Sequence, residues 1–267
     1  MIDAHAKSLK SRFSAAAETY DVLSIPQAVV AERLAQLIPN EADGSRILEI
    51  GCGTGLLTTQ ILKRFPDAHV DAIDLSAIMI AQARARFASN PRIRWFAIDM
   101  TAFKPRHTYP LVVSSSSLHW LADLQGGVRH ISDLVEPGGH MVFSVMLKGT
   151  LGELHALRKQ ISPHKPPLRG MPRADEVMTA VAGTGFRILD SSVEDYKASY
   201  RSADAFLRTL HDQGVTGGAF SQSTLPLNRR ELQALTDAYD HAYSSDAGHV
   251  YATYRVLFVI GVKPMGK

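Results

Sequence analysis

Cysteine is almost missing: Cys52 is the single one in 267 residues, so no disulfide can form within the chain. No cysteine and histidine cluster with metal-ligand spacing accompanies it, which leaves no basis for a metal site. Also missing is any run of about eighteen consecutive apolar residues, and the apolar stretch at Val250 to Val262 is interrupted by Arg255. The first residues, Met1 to Phe13, contain no continuous apolar segment of the kind a secretory leader carries. These absences predict a cytoplasmic protein with no membrane partner. Charge of one sign is scarce too, with 29 Lys and Arg against 26 Asp and Glu and a net charge of +3. Bulk charge therefore gives no drive toward nucleic acid, although a local basic patch for an acidic partner is compatible with the balance. With 45% hydrophobic and 21% charged residues, the chain has the makeup of a folded globular protein with a sizeable core.

What is present is an alternation of short apolar runs and helical stretches between Ser45 and Leu147. The runs around Ile47 to Ile50, Leu111 to Val113 and Met141 to Val145 are too short for helices and rich in residues that suit strands buried on both faces. Strand and helix in turn predict an α/β fold, a doubly wound Rossmann-like sheet covered on both sides. Residues 1–44 read as an N-terminal helical lid, 45–147 as the ligand-binding core, and 148–173, rich in proline and basic residues, as an insertion running over the surface. Residues 174–200 read as a core helix and strand, 201–248 as a second helical insertion, and 249–267 as a final core strand. The lid and the insertions are expected over the C-terminal ends of the strands.

The sharpest local signal is Glu49-Ile50-Gly51-Cys52-Gly53-Thr54-Gly55, a strand running into alternate glycines and then into a helix. Glycines there permit a tight turn and bring the backbone close to a ligand. A dinucleotide fingerprint needs a third glycine where Leu56 stands, which counts against a nicotinamide oxidoreductase. The pattern E-x-G-x-G-x-G instead resembles the first motif of class I S-adenosylmethionine-dependent methyltransferases. That resemblance implies seven strands with the last pair antiparallel, S-adenosyl-L-methionine as cofactor and S-adenosyl-L-homocysteine as product. It implies a cofactor site built from Glu49, Gly51, Gly53, Gly55, Asp74, Leu75, Asp99, Met100 and Ser116. Asp74 would accept from the ribose hydroxyls, Leu75 would pack on the adenine, and Asp99 would accept from the adenine amino group. The polar run Ser114 to Trp120 would border the transferred methyl.

Residues outside the core carry a narrower resemblance. Phe13, Ala16, Ala17 and Tyr20, with Gln27 downstream, form an F-x-x-A-A-x-x-Y pattern, and Phe13, Ala17 and Tyr20 share one helical face. Gly149-Thr150-Leu151-Gly152-Glu153-Leu154-His155, then Met171-Pro172, and finally Thr253-Tyr254 follow in order. Together they resemble the biotin-pathway malonyl-[acyl-carrier protein] O-methyltransferases over nearly the whole chain. The resemblance implies methylation of the free carboxylate of a malonyl thioester, on acyl-carrier protein or coenzyme A, as an early step of pimeloyl synthesis. Two departures bear on the acceptor: Ala15 stands where the family often has a basic residue, and His211 interrupts a segment that is usually L-K-x-I-G-A-like. Tyr20 is the expected catalytic and lid residue, with His119, Arg208 and His211 as acceptor contacts and Arg12 as a further cation.

The chemistry asks for no base, because a malonyl carboxylate is already ionised at neutral pH. Positioning and desolvation then carry the catalysis. A quinone or phenol acceptor would need one, and His119 is the candidate. Another small carboxylic acid, aconitate-like, and a non-catalytic S-adenosylmethionine-binding module are the remaining alternatives. An acidic carrier calls for a basic docking face, either Arg84, Arg86, Arg92 and Arg94 or Arg158, Lys159, Lys165, Arg169 and Arg173. The second group lies in the expected lid and is preferred. Oligomeric state has no signature in the sequence.

Overall fold

The computed structural model describes Ser11, Ser14 and residues 23–88, 90–165, 170–214, 226–245 and 248–265. Tyr20, Arg12, Phe13, Ala15, Ala16, Ala17 and Arg169 lie outside the described residues.

The core strands are β1 (Arg46–Ile50), β2 (His69–Asp74), β3 (Ile93–Ala97), β4 (Tyr109–Ser114) and β5 (Val135–Met146). A short β6 (Lys148–Leu151) follows, then the long β7 (Arg187–Tyr200) and β8 (Val250–Val262). Seven of them form one sheet in the order β3-β2-β1-β4-β5-β8-β7. β1 to β5 pair in parallel, and β8 runs antiparallel between β5 and β7. The helices are α1 (Ile25–Leu37), α2 (Leu56–Arg64), α3 (Ala77–Arg86), α4 (Leu124–Leu134), α5 (Gly152–Ile161), α6 (Ala174–Ala182), α7 (Ala203–Asp212) and α8 (Arg229–Ala242). Among the described residues no helix is long and apolar enough to cross a membrane.

Residues on the central strands alternate between two apolar layers, as the two-residue period of a strand requires. Ile47, Val113 and Val142 face the layer that holds Val30 and Leu34 of α1, Ile61 of α2, Phe206 of α7 and Tyr239 of α8. Leu48, Val112 and Phe143 face the layer that holds Val128 and Ile131 of α4 and Val177 and Val181 of α6. The helices α1, α7 and α8 therefore share one side of the sheet. On that side Arg33 of α1 donates from Nε and Nη2 to Glu194 Oε1 of β7 at 3.0 and 2.9 Å, tying the first helix to the far edge.

The segment expected as an irregular surface insertion contains β6 and the ten-residue helix α5. Prolines and basic residues hid this helix because its apolar positions, Leu154, Leu157 and Ile161, follow a helical spacing too sparse to stand out. Lys165, taken from sequence as a docking cation, is 7% exposed. Its ammonium donates to Glu231 Oε2 at 2.6 Å and to the Pro226 carbonyl at 2.9 Å, so it joins the end of α5 to the start of α8. The other basic group is engaged as well: Arg84, Arg86 and Arg92 donate to the carbonyls of Trp95, Thr54 and Pro66. Arg94 donates twice at 2.6 Å to Asp71.

Asp71 is the one carboxylate in the middle of β2, 4% exposed, and it also accepts from the Tyr109 hydroxyl at 2.6 Å. Removing it leaves the buried Tyr109 hydroxyl without its acceptor. Asp71→Ala is expected to lower stability by about 2 kcal/mol, with cofactor affinity unchanged, as measured by denaturant unfolding and calorimetry on the same samples.

Candidate active site

β1, β2, β3 and β4 are parallel, so their C-terminal ends lie along one edge of the sheet, and the chain crosses there in loops. The loop after β1 holds Gly51, Gly53 and Gly55 with φ of +69°, +54° and +92°, backbone that side chains rarely adopt. A Cβ on Gly51 would collide with Ser117 Oγ, and one on Gly55 with the Phe87 ring. A Cβ on Gly53 meets nothing within 4 Å. The glycines at either end are thus required by the protein's own packing, and the middle one faces open space. Asp74, the last residue of β2, accepts at Oδ2 from the Gly53 N–H at 2.9 Å and at Oδ1 from the Ser76 N–H at 2.8 Å. Burial raises its pKa from the ordinary carboxylate value, and the two N–H donors oppose that rise.

Glu49 lies beneath this loop, 1% exposed, and accepts from the Thr58 hydroxyl at 2.6 Å. Burial pushes its carboxyl up to about 8, so it holds a proton at neutral pH. Cys52 sits in the same loop, and burial raises its thiol well above the usual range.

The loop after β4 is clamped from both sides. Ser114 donates to the Ile50 carbonyl at 2.9 Å, and the Ser116 N–H donates to Ser144 of β5, reaching Oγ at 3.1 Å and the carbonyl at 3.2 Å. Ser116 is forced to a φ of +49°, one of two described non-glycine residues in that region. Strained backbone of this kind persists where surrounding contacts over-determine it, often at functional sites.

Two cavities meet here. The first is lined by Glu49, Gly51, Gly53, Asp74 and Met79 and is the glycine cradle. The second, about 450 Å³, has a wall dominated by Met146, Leu151, Leu154, Met171, Leu207 and Leu235, with polar groups from His119, His155, Arg158, Arg208, His211 and Tyr254. Gln27, Ser116 and Trp120 line both, so they form the throat between them. Gln27 and Ala31 are one turn apart on α1, which places that helix against the cradle as well as the throat.

Of the residues expected at the cofactor, Glu49, Gly51, Gly53, Asp74 and Ser116 line the cradle. Gly55 is the N-cap of α2 immediately behind it. Leu75, half-buried, follows Asp74 outside the cavity walls. Asp99 stands two residues past β3, and its Oδ1 accepts from the backbone and hydroxyl of Thr101 at 2.9 and 2.7 Å. Met100 is 8% exposed and belongs to the apolar layer under α4. His119 is 4% exposed in a short 3-10 turn with its ring 5.0 Å from that of Trp120. Arg208 and His211 line the outer part of the second cavity, where both are exposed, and Arg208 pairs with Asp204 at 2.9 Å.

Two residues escaped sequence reasoning in the role the structure gives them. Arg158, grouped with surface cations, lines the second cavity from α5, and burial lowers the pKa of its guanidinium. His155, one turn earlier on the same helix, is lowered by burial and by Arg158, so its ring is neutral at neutral pH. Their spacing of three residues placed them on one face of a helix, but only once that helix was known to exist. Ser14 Oγ lies 2.9 Å from Ser76 Oγ, which brings the N-terminal segment to the rim of the cradle beside Asp74.

The cradle offers a half-buried carboxylate at a strand end, Asp74, and a backbone turn open at Gly53, which fits the ribose and amino-acid ends of S-adenosylmethionine. A family model described as a methyltransferase domain matches residues 48–141, the stretch that builds this cradle. The N-methyltransferase NodS of Bradyrhizobium japonicum, solved with S-adenosyl-L-homocysteine, aligns over 98% of this chain and 100% of its own with a TM-score of 0.57 at 16% identity. Fold and cradle are those of an S-adenosylmethionine-dependent methyltransferase. Malonyl-[acyl-carrier protein] O-methyltransferase 2 of Ilyobacter polytropus is 27% identical over 96% of this chain and 97% of the relative. The malonyl-[acyl-carrier protein] O-methyltransferase of Halalkalibacterium halodurans is 30% identical over 95% of this chain and 97% of the relative. The chain belongs to the malonyl-[acyl-carrier protein] O-methyltransferase family.

The protonated Glu49 makes a thermodynamic prediction. Its carboxyl titrates near 4.5 when unfolded and near 8 when folded. The folded state holds the proton more tightly, so this stabilising contribution is complete below about 4.5 and is lost as pH rises toward about 8. Glu49→Gln is expected to flatten the fall in melting temperature of the ligand-free protein over that window and to be the more stable form at its upper end. Parallel melting curves across pH would show the opposite if the group were ionised in the fold.

Proposed function

We propose that this protein transfers a methyl group from S-adenosylmethionine to the free carboxylate of a malonyl thioester carried on an acidic acyl-carrier protein, in the cytoplasm. The observation that carries this is the shared throat: a cofactor cradle and a separate, mostly apolar cavity adjoin at Gln27, Ser116 and Trp120. Family membership supplies the acceptor class, since the relatives are named for malonyl-[acyl-carrier protein].

S-adenosylmethionine supplies a methyl on positively charged sulfur, and as the carboxylate oxygen bonds to it the carbon–sulfur bond breaks, with the electron pair left on sulfur and no proton moved. The chain's work is to hold the two parts in line and to exclude water. Gly51, Gly53, Asp74 and Ser116 hold the cofactor, with Glu49 supporting the loop from below and Leu75, Asp99 and Met100 assigned to the adenine end. The apolar wall of the second cavity strips water from the acceptor carboxylate, which raises its reactivity toward a cation. Arg158 gives that cavity a cation of lowered proton affinity, and an anionic acceptor is the partner that favours its charged form. Arg208 and His211 meet the thioester arm nearer the surface.

Tyr20 and the lid of residues 1–44 and 201–248 are part of the same proposal. The contact of Ser14 with Ser76, beside Asp74, supports this reading. A tyrosine hydroxyl orients a carboxylate without neutralising it.

The direct test is transfer of labelled methyl to malonyl-acyl-carrier protein, with malonyl-coenzyme A and free malonate as competitors. Preference for the carrier form, reduced in Tyr20→Phe, is the expected result; label on none of the three would overturn the acceptor. His119→Gln should cost only a few-fold in rate, whereas loss of about 100-fold or more would signal a required base and a phenolic or quinone acceptor. Arg158→Met should raise the KM for the acceptor about 10- to 100-fold, as expected for loss of a charged hydrogen bond, with S-adenosylmethionine affinity unchanged.

A further inference from the structure

The throat contains two oxygens that no described residue satisfies. Gln27 Oε1 and Ser116 Oγ are both buried, and neither has a hydrogen-bond partner among the described residues. Buried polar atoms are paired in the great majority of cases, so two orphans on residues that share one cavity junction call for a cause. Their surroundings make the coincidence sharper. Ser116 is held in left-handed backbone by two bonds from its N–H to Ser144, so its position is fixed while its hydroxyl is free to rotate about one bond. Gln27 is the third residue of α1, a helix anchored by the Arg33 pair to Glu194.

An amide oxygen only accepts, and a hydroxyl accepts as readily as it donates. An ionised acceptor carboxylate has no donor to offer Gln27. The positive partner that methyl transfer brings to this junction is the sulfonium, whose methyl hydrogens are polarised by the charge and form C–H···O contacts. We propose that Gln27 Oε1 and Ser116 Oγ act as a pair of acceptors that recognise the sulfonium charge and so let the site distinguish S-adenosylmethionine from S-adenosylhomocysteine. The product has a neutral sulfur and no methyl, so it gains nothing from these oxygens and is released more easily. Both residues are specificity-determining in this role, and neither moves a proton. The inference rests on methyl transfer at the throat and is independent of which acceptor is used.

The test is calorimetric binding of S-adenosylmethionine and S-adenosylhomocysteine to the full-length protein without acceptor. Gln27→Leu and Ser116→Gly are each expected to lower the ratio of the two affinities about two- to five-fold, with S-adenosylmethionine weakened by more than S-adenosylhomocysteine. Gln27→Glu, which puts a negative charge at the same place, should move the ratio the other way. The amino-acid part of the two ligands is identical. If Gln27 or Ser116 instead binds the common ammonium group, both affinities fall together and the ratio stays constant, which overturns the proposal. An unchanged ratio with both affinities unchanged overturns it as well. Glycine tolerates the backbone that Ser116 adopts, so Ser116→Gly keeps the test valid if Gln27→Leu does not fold. Absence of malonyl methylation by the wild type, with the ratio shifted as expected in the variants, would overturn the acceptor proposal and leave this one standing.

Discussion

Everything in this site hangs on the turn between β1 and α2, where three alternate glycines take left-handed backbone in five residues. Any side chain at Gly51 or Gly55 would strike Ser117 or Phe87, so those two positions are consumed by the contact of the turn with the loop after β4 and with the end of α3. That double contact sets the height of the turn above the sheet and leaves Gly53 as the position whose missing side chain faces open space. The Gly53 N–H is in turn fixed by Asp74, so the first two strands and their loops form a unit with no independent adjustment. The loop after β4 inherits its place from this unit, and Ser116 inherits its strained conformation from that loop.

The electrostatics follow from the same geometry. Glu49 sits under the turn and accepts from the hydroxyl and the backbone N–H of Thr58, yet burial outweighs both and at neutral pH the neutral form is the stable one. Asp74 has two backbone donors and lies nearer the surface, so the penalty it pays for charge is partly compensated. These two carboxyl groups, on adjacent strands, are thus both raised by burial, and in each the donors it accepts from oppose the rise. Two basic side chains of the α5 region differ in their setting. Lys165 is buried yet fully engaged by Glu231 and a carbonyl, and it acts as a structural pin. Arg158 is placed in an apolar wall where burial disfavours its charge. An anion entering the second cavity meets Arg158 and not Lys165.

The central sheet and the cradle were legible in the sequence because their signals are local. Buried parallel strands show as continuous apolar runs, and a turn that needs positive φ shows as glycine. The final elements were legible for a related reason: Ala174 to Ala182, Ala203 to Asp212 and the strand to Val262 each have one clear apolar period. What failed to show was the assignment of long charged side chains. Arg158, Lys165 and Arg94 are indistinguishable in a sequence from solvated cations, and each is decided by a partner far along the chain or by a cavity wall made of four separate helices. Asp71 is the same case with the sign reversed, a carboxylate in an apolar strand whose partners lie on two other strands.

Gln27 shows how the two halves of the site are coupled. It belongs to α1, which packs against α2 and the sheet beneath the cradle, so its place is set by the core and not by the lid. Leu23, two residues before that helix, accepts through its carbonyl from Gln213 Nε2 at 2.6 Å, and Gln213 closes α7 and lines the second cavity. One helix start therefore touches the cradle through Gln27 and Ala31 and the wall of the second cavity through Gln213. A shift of α7 in response to an acceptor would be transmitted to the backbone leading into α1, four residues from the throat. The two cavities are thus coupled through a contact outside the glycine loop, and the loop by itself does not position the elements that wall the second cavity.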